Sequence, residues 1–245
     1  MEDKALLSTE VASGAEKAEL LIVIPAYNEA ENIERVVNHL TANFPQYDYV
    51  VVNDGSRDET AAICQRNGYN LLNLPVNLGL AGAFRAGLKY ADKYGYQYAV
   101  QLDGDGQHRP EYLESMIKKM EEGYDIVIGS RFVGEKKPFT MRMLGSNLIE
   151  MAIRFTTGVN IKDPTSGMRM FSKRMIREFA SGLNYGPEPD TVSYLIRQGA
   201  RVAEVPVIMD ERILGVSYLT PVNAMRYMLK MLISILLIQN FRKRR

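Results

Sequence analysis

Asp103 and Asp105 stand one residue apart in Gln101-Leu102-Asp103-Gly104-Asp105-Gly106-Gln107-His108, directly after the apolar run Tyr98 to Leu102. Gly104 and Gly106 free the backbone to turn and bring both carboxylates toward one point, which suits a hard divalent cation with oxygen ligands. Such a cation is commonly shared with a diphosphate. An isolated acid-glycine string also reads as a solvated turn. The weighting changes here because three earlier strand ends carry polar groups as well.

Pro25-Ala26-Tyr27-Asn28-Glu29 follows the first apolar run and opens a helix. Backbone N–H groups at such a helix start suit an anion, and the Tyr27 ring can stack on a base. Glu29 either hydrogen-bonds a polar ligand or is an ordinary first-turn acid favoured by the helix dipole. In Asn53-Asp54-Gly55-Ser56-Arg57-Asp58, Asp54 can accept hydrogen bonds from a base or a ribose, whereas Ser56 and Asp58 have the character of helix caps. Asn77-Leu78-Gly79, with Gly82 and Gly87 beyond, allows the backbone close approach to a ligand or simply close helix packing. Single arginines are usually solvated surface charge. Arg131, Arg142 and Arg212 are set apart by their motif contexts, while Arg169, Arg174, Arg177 and Arg197 are assigned to the surface. His108 is read as ordering its loop, and His39 has no visible partner.

The elements that must position these groups follow from hydrophobic periodicity. Leu20 to Ile24, Tyr49 to Val52, Asn70 to Leu74, Tyr98 to Leu102 and Asp125 to Ile128 are apolar runs of strand length. The first four are followed by segments of helical spacing, Glu29 to Leu40, Glu59 to Arg66, Leu80 to Tyr94 and Pro110 to Glu122. Alternating strands and helices predict an α/β fold with a mostly parallel sheet and helices on both faces. Ligands of open α/β sheets sit at the carboxyl ends of the strands, where the polar groups above fall. After Arg131 the regularity weakens: a loop at Gly134 to Pro138, a helix over Met141 to Thr157, a strand over Arg201 to Ile208 and a long amphipathic helix over Val222 to Phe241. The expected division is a mobile tail (1–19), a catalytic domain (20–220) and a C-terminal amphipathic helix with a basic tail (221–245).

The chain of 245 residues has a formal net charge of +1, which argues against a general nucleic-acid binder. Its single cysteine, Cys64, excludes an internal disulfide framework and fits a reducing cytosol. The first nineteen residues lack an apolar signal region, and no window reaches the roughly 18–20 apolar residues of a spanning helix. A soluble or membrane-peripheral protein is expected. The apolar stripe of the last helix, followed by Arg242 to Arg245, suits an interfacial helix on an anionic membrane, or else a helix packed on the core or in a dimer interface.

In order, P-A-Y-N-E, N-D-G-S, N-x-G and the acid pair resemble the family 2 glycosyltransferases with the GT-A (Rossmann-like) fold. The second half resembles the polyprenyl-phosphate group of that family, the dolichol-phosphate mannose synthase-like enzymes. The resemblance runs from Leu20 onward and implies a donor site lined by Pro25, Ala26, Tyr27, Glu29, Asp54, Gly55, Asn77, Gly79, Asp103 and Gly104. It implies a Mg²⁺ or Mn²⁺ site at Asp103, Asp105 and Gln107, and an arginine near the phosphates at Arg131. Arg142 and Ser146 match the acceptor-phosphate contacts, and Asp163-Pro164-Thr165-Ser166-Gly167 matches the turn near the transfer site. Glu188 or Asp190 stands where many relatives place an acid. Arg212, Gly215 and Ser217 match an R-x-x-G-x-S element that closes over both phosphates. Several relatives carry membrane-spanning helices at the C-terminus, and this chain has none.

The resemblance thus implies an inverting, metal-dependent glycosyltransferase that moves a sugar from a nucleotide-sugar, with uridine the preferred base, to a polyprenyl phosphate. It would work peripherally on the cytoplasmic, inner face of the membrane, with room for a homo-oligomer or an integral-membrane partner as anchor. A soluble enzyme acting on a sugar hydroxyl would need Asp163, Glu188 or Asp190 to take the proton. A non-catalytic nucleotide-sugar-binding protein is the remaining alternative. A sugar-nucleotide pyrophosphorylase would call for a glycine-rich basic signature after the first strand, which Tyr27-Asn28-Glu29-Ala30 is not.

Overall fold

The computed structural model describes residues 18–134, 137, 140–182, 186, 188–210 and 221–241. The first half alternates strictly: β1 (Leu20–Ala26), α1 (Ile33–Asn43), β2 (Asp48–Asn53), α2 (Thr60–Arg66), β3 (Leu71–Asn73), α3 (Gly79–Tyr94), β4 (Tyr98–Gln101), α4 (Leu113–Glu121) and β5 (Ile126–Ser130). The second half adds α5 (Met141–Thr157), β6 (Arg169–Ser172), α6 (Lys173–Arg177), α7 (Pro189–Arg197), β7 (Val202–Pro206) and α8 (Pro221–Leu236). Among the described residues the seven strands form one sheet in the order β3-β2-β1-β4-β6-β5-β7, with β6 antiparallel to both neighbours.

Every residue of β1 is buried, because a central parallel strand is covered on both faces. Leu21 and Val23 join Phe84 and Phe171 in one core layer, while Leu20, Ile22 and Ile24 join Ile33 and Met116 in the other. Helical spacing serves the same layers: α1 buries Ile33, Val37 and Leu40, and α3 buries Phe84, Leu88 and Ala91. α3 stops at Gly95, whose φ of 75° is the left-handed cap.

The mostly parallel α/β sheet expected from the sequence is present, with helices on both faces. Three elements were not foreseen, the short helix α6 among them. β6 is a four-residue strand, Arg-Met-Phe-Ser, too short to announce itself, and its place between β4 and β5 depends on tertiary pairing. Arg169 at its start was assigned to the surface but is 6 % exposed, with Nη2 donating to the Pro164 carbonyl at 2.7 Å. α7 likewise lies in a stretch read only for its acids.

α8 lies alongside α5 and α7 and sends Met231 and Ile235 into the core. The approach to α5 is close at Gly145, where an added Cβ would stand 1.7 Å from the Met228 sulfur. No helix of the described residues is long and apolar enough to cross a membrane. Residues 1–17 of the tail expected over 1–19, the segment 211–220 with Arg212, Gly215 and Ser217, and the basic residues 242–245 lie outside the described residues.

Candidate active site

The carboxyl ends of β1, β2 and β3 are held in register, Ala26 beside Asn53 and Asn53 beside Asn73. The Asn53 amide donates to Asn73 Oδ1 at 2.6 Å. The loops that follow are laced together. The N–H groups of Asn28, Glu29 and Ala30 donate to Ser56 Oγ, Thr60 Oγ1 and Asp58 Oδ2 at 3.0, 2.9 and 3.1 Å. Asn28, at a left-handed φ of 55°, accepts from the Arg57 N–H at 2.9 Å. This corrects one expectation: those N–H groups are occupied by side chains of the neighbouring loop, so they do not form an open anion cradle. Asp58 does cap, its Oδ1 accepting the Thr60 N–H at 3.0 Å while its Oδ2 reaches across to the first loop; Ser56 instead accepts across to that loop.

Pro25 and Ala26 are buried, while Tyr27 and Glu29 are half-buried at the rim. Asp54 is 3 % exposed and its Oδ1 accepts from the Leu78 N–H at 2.7 Å, while its carbonyl accepts from the Asn77 amide at 3.1 Å. Gly55 is required here, since its φ is 66° and an added Cβ would stand 2.8 Å from the Asn77 nitrogen. Gly79, at φ 74°, opens α3, and its N–H donates to Asn77 Oδ1 at 3.2 Å.

The acid-pair loop sits against this group. A Cβ on Gly104 would meet the Pro25 carbonyl at 3.1 Å and Glu29 Cγ at 3.5 Å. The loop closes through the Gly106 N–H donating to the Asp103 carbonyl at 3.2 Å. Asp103 Oδ1 accepts from Gln101 Nε2 at 2.8 Å, and Oδ2 lies 3.6 Å from His108 Nε2. His108 Nδ1 accepts the Asp103 N–H at 3.0 Å, so the ring proton belongs on Nε2 and the histidine orders the loop as expected. Asp105 is 4 % exposed and its Oδ1 accepts from the Gln107 N–H at 3.0 Å. Gln107 donates from Nε2 to the Asp210 carbonyl at 3.1 Å, which leaves its Oε1 as the oxygen a cation would use.

Among the described residues no three carboxylate, histidine or cysteine side chains converge as a metal set. Two aspartates and an amide oxygen are nevertheless the all-oxygen donors that Mg²⁺ or Mn²⁺ accepts when a diphosphate completes the shell. The residues present fit that group.

The second half reaches the same place. A Cβ on Gly167 would meet Asp103 Oδ2 at 3.3 Å and His108 Cε1 at 3.1 Å. The turn bearing Gly167 is pinned throughout: Ser166 Oγ donates to the Gly129 carbonyl at 2.5 Å, and the N–H groups of Lys162 and Asp163 donate to the two carboxylate oxygens of Glu204 at 2.7 and 2.8 Å. Asp163 is fully buried and takes Arg131 Nε at 2.7 Å and Nη2 at 2.8 Å. Arg131 lines a cleft of about 490 Å³ together with Tyr112, Phe132 and Val207.

Ser146 is completely buried on α5, with no protein hydrogen-bond partner for its Oγ among the described residues. Arg142 lies in the first turn of the same helix, its side chain outside the described set. Asp190 is not gathered with the acid pair; its Oδ2 accepts from Ser234 Oγ at 2.6 Å and Gln239 Nε2 at 3.3 Å, and its Oδ1 from the Thr191 N–H at 2.8 Å. Glu188 accepts from the Tyr227 hydroxyl, and burial, reinforced by that carboxylate, raises the tyrosine pKa.

Sequence reasoning missed several supporting residues. Arg35 donates to the Asp105 carbonyl at 2.9 Å and is itself held by Asn32 at 3.2 Å. Arg109 grips Asp210 from both Nε and Nη2, and this partnership raises the arginine pKa and lowers that of the aspartate. The legible signal was Glu204, a charge inside the apolar run Val202 to Val207; Arg35 gave none, being an ordinary helix-surface cation.

Residues 21–179 match the model of the family described as Glycosyl transferase family 2. The chain is 32 % identical over 223 residues to the polyprenol monophosphomannose synthase of Mycolicibacterium smegmatis, covering 86 % of this chain and 84 % of that protein. It is 31 % identical over 210 residues to the undecaprenyl-phosphate mannosyltransferase of Micrococcus luteus, covering 81 % and 86 %. The solved glucosyl-3-phosphoglycerate synthase of Mycobacterium tuberculosis, in complex with Mn²⁺, UDP-glucose and phosphoglyceric acid, superposes with a TM-score of 0.67 at 18 % identity, over 90 % of this chain and 79 % of that one. At that identity the likeness is one of fold.

Proposed function

The chain belongs to glycosyl transferase family 2 and is a glycosyltransferase, and from that premise we propose that it moves one sugar, with inversion, from a nucleotide-sugar to a polyprenyl phosphate at the cytoplasmic face of a membrane. The observation that carries this reading is the close approach of Gly167 to Asp103, where an added Cβ would stand 3.3 Å from Oδ2; it brings the Asp163 turn and Arg131 beside the acid-pair loop. The two relatives named for polyprenol and undecaprenyl-phosphate substrates support the acceptor class.

In this reading Tyr27, Glu29 and Asp54 recognise base and ribose, and the backbone at Pro25, Ala26, Gly55, Asn77, Gly79 and Gly104 forms the wall of the donor pocket. Asp103, Asp105 and Gln107 hold Mg²⁺ or Mn²⁺, which when bound neutralises the charge that builds on the departing nucleoside diphosphate. Arg131, aimed by Asp163, adds a fixed positive charge to the same phosphates, and Arg212 adds a second. Arg142 and Ser146 place the acceptor phosphate. One of its oxygens attacks the anomeric carbon opposite the leaving group; as that C–O bond forms, the bond to the diphosphate breaks and its electrons leave with the diphosphate.

A phosphate monoester with a second pKa near ~6 is already mostly dianionic at neutral pH and requires no general base. That accords with Asp163 and Asp190, whose oxygens are committed to Arg131 and to the C-terminal helix. Uridine is retained as the preferred base; because the two relatives are named for mannose, the assay must span guanosine and uridine donors.

The test is radiolabel transfer to membrane lipid extract with a panel of nucleotide-sugars, with added Mn²⁺ or EDTA. Asp105→Asn should abolish transfer and metal-dependent donor binding, whereas Arg142→Ala should abolish transfer and spare donor binding. Full turnover in EDTA, or unchanged donor binding by Asp105→Asn, sinks the assignment.

A further inference from the structure

Asp210, just past β7, holds the acid-pair loop at both Gln107 and Arg109. Its N–H donates to the Gln107 carbonyl at 3.0 Å, and its own carbonyl accepts from Gln107 Nε2 at 3.1 Å across 103 positions of chain. Its carboxylate takes Arg109, from Nε at 3.0 and 2.9 Å and from Nη2. Arg109 and Asp210 keep 40 and 43 % of their side chains exposed, and an ion pair so open to water adds little to stability. Its consequence lies at Gln107.

An amide has one end that accepts and one that donates. A carbonyl can only accept, so the Asp210 carbonyl must be met by the nitrogen of Gln107, and Oε1 is the end left for a cation. Turned the other way, the amide would offer the cation an NH2 and be repelled. Partners that orient a metal ligand from behind govern affinity by about 10–100-fold.

The same contact gives a reason for an amide at this position. A carboxylate at 107 would set lone pairs against the Asp210 carbonyl and add a negative charge beside Asp210. Asp103 and Asp105 already balance a divalent ion, and a third acid would oppose the diphosphate that shares it. Gln107 supplies the oxygen without the charge.

We infer that Asp210 and Arg109 are positioning residues for the cation: Asp210 presents Gln107 by its Oε1, and the Arg109 fork holds Asp210 in place to do so. The inference rests on the proposed function for the cation at Asp103, Asp105 and Gln107. Plain electrostatics predicts a different outcome, because removing the Arg109 charge would leave the surroundings more negative and tighten a divalent ion. Positioning predicts that the ion binds more weakly.

The experiment is a Mn²⁺ titration of the full chain in the presence of UDP or GDP, with free Mn²⁺ followed by its electron paramagnetic resonance signal and urea midpoints measured alongside. Arg109→Ala and Asp210→Ala should each weaken Mn²⁺ binding by about tenfold, at midpoints close to that of the wild type. In a Gln107→Ala background, itself weakened, Arg109→Ala should add nothing, because its effect passes through the missing amide. Mn²⁺ affinity that is unchanged or tighter in Arg109→Ala overturns the inference, as does an equal loss in the Gln107→Ala background. A lowered midpoint with wild-type affinity also overturns it and makes the pair a structural tie. Asp105→Asn keeps the two readings apart: Mn²⁺ binding lost there but intact in Arg109→Ala removes the positioning role and leaves the metal site standing. A wild-type chain that takes up no Mn²⁺ with either nucleotide overturns the metal site, and the positioning role with it.

Discussion

Arg131 grips Asp163 with Nε, Nη2 and its own backbone N–H, and the aspartate is fully buried while the arginine keeps 23 % of its side chain exposed. The buried partner fixes the plane of the guanidinium, and Arg131 also lines the cleft with Tyr112, Phe132 and Val207. Arg131→Ala would strip a buried carboxylate of its counter-charge. We expect a loss toward the lower end of roughly 3–5 kcal/mol, since the Arg131 N–H and the Thr165 hydroxyl still reach Asp163. Arg131→Lys should recover stability only in part, because one ammonium cannot reproduce the fork. Urea titration of the three proteins, with transfer assayed in parallel, checks both expectations.

Glu204→Gln tests the support beneath that pair. The Lys162 and Asp163 N–H groups meet different carboxylate oxygens, and in the variant one of those oxygens becomes an NH2, which cannot accept. A charge-assisted bond of about 1.5–3 kcal/mol is lost. If Glu204 acts through Arg131, kcat should fall further than the shift in denaturation midpoint would account for at assay temperature. A variant with reduced stability and wild-type kcat would show the turn to be purely structural.

Asp190→Asn should separate a buried tie from a catalytic carboxylate. Its partners Ser234 and Gln239 belong to the C-terminal helical segment, so the cost of about 1–3 kcal/mol should appear as a lower Tm. Nucleotide affinity by calorimetry should stay at the wild-type value. A weakened donor affinity with unchanged Tm would return Asp190 to the sugar site.

Asp125 supplies a pH dependence. Burial alone would raise its pKa, but the Arg174 fork at 2.8 and 2.6 Å and the Arg201 N–H at 2.9 Å more than offset it and hold the carboxyl below its ordinary value. A depressed folded-state pKa gives stability that is present above the unfolded value of about 3.9 and lost as pH falls through the lower folded value. The Tm difference between wild type and Asp125→Asn should be constant near neutrality and shrink below about pH 4. A difference that does not change with pH would refute the linkage.

Cys64 is wholly buried in α2, and burial pushes its thiol pKa up to about 11. Iodoacetamide should leave it unmodified in the native protein at neutral pH and label it fully in denaturant, as followed by intact mass. Rapid labelling of the folded protein would contradict the buried placement.

The sequence by itself determined the alternating half of the fold and the order of its polar strand ends. Both are local: an apolar run of strand length and a 3.6-residue period can be read without knowing what lies opposite. Asp103, Asp105 and His108 were legible for the same reason, since their contacts span only a few residues. Tertiary structure alone decided where Asp163 and Glu204 act, that Ser56, Asp58 and Thr60 occupy the first loop's N–H groups, and that Arg169 is buried on an antiparallel strand. Those facts depend on pairs separated by up to dozens of positions, and a charged or hydroxyl side chain in sequence carries no mark of the partner it will meet.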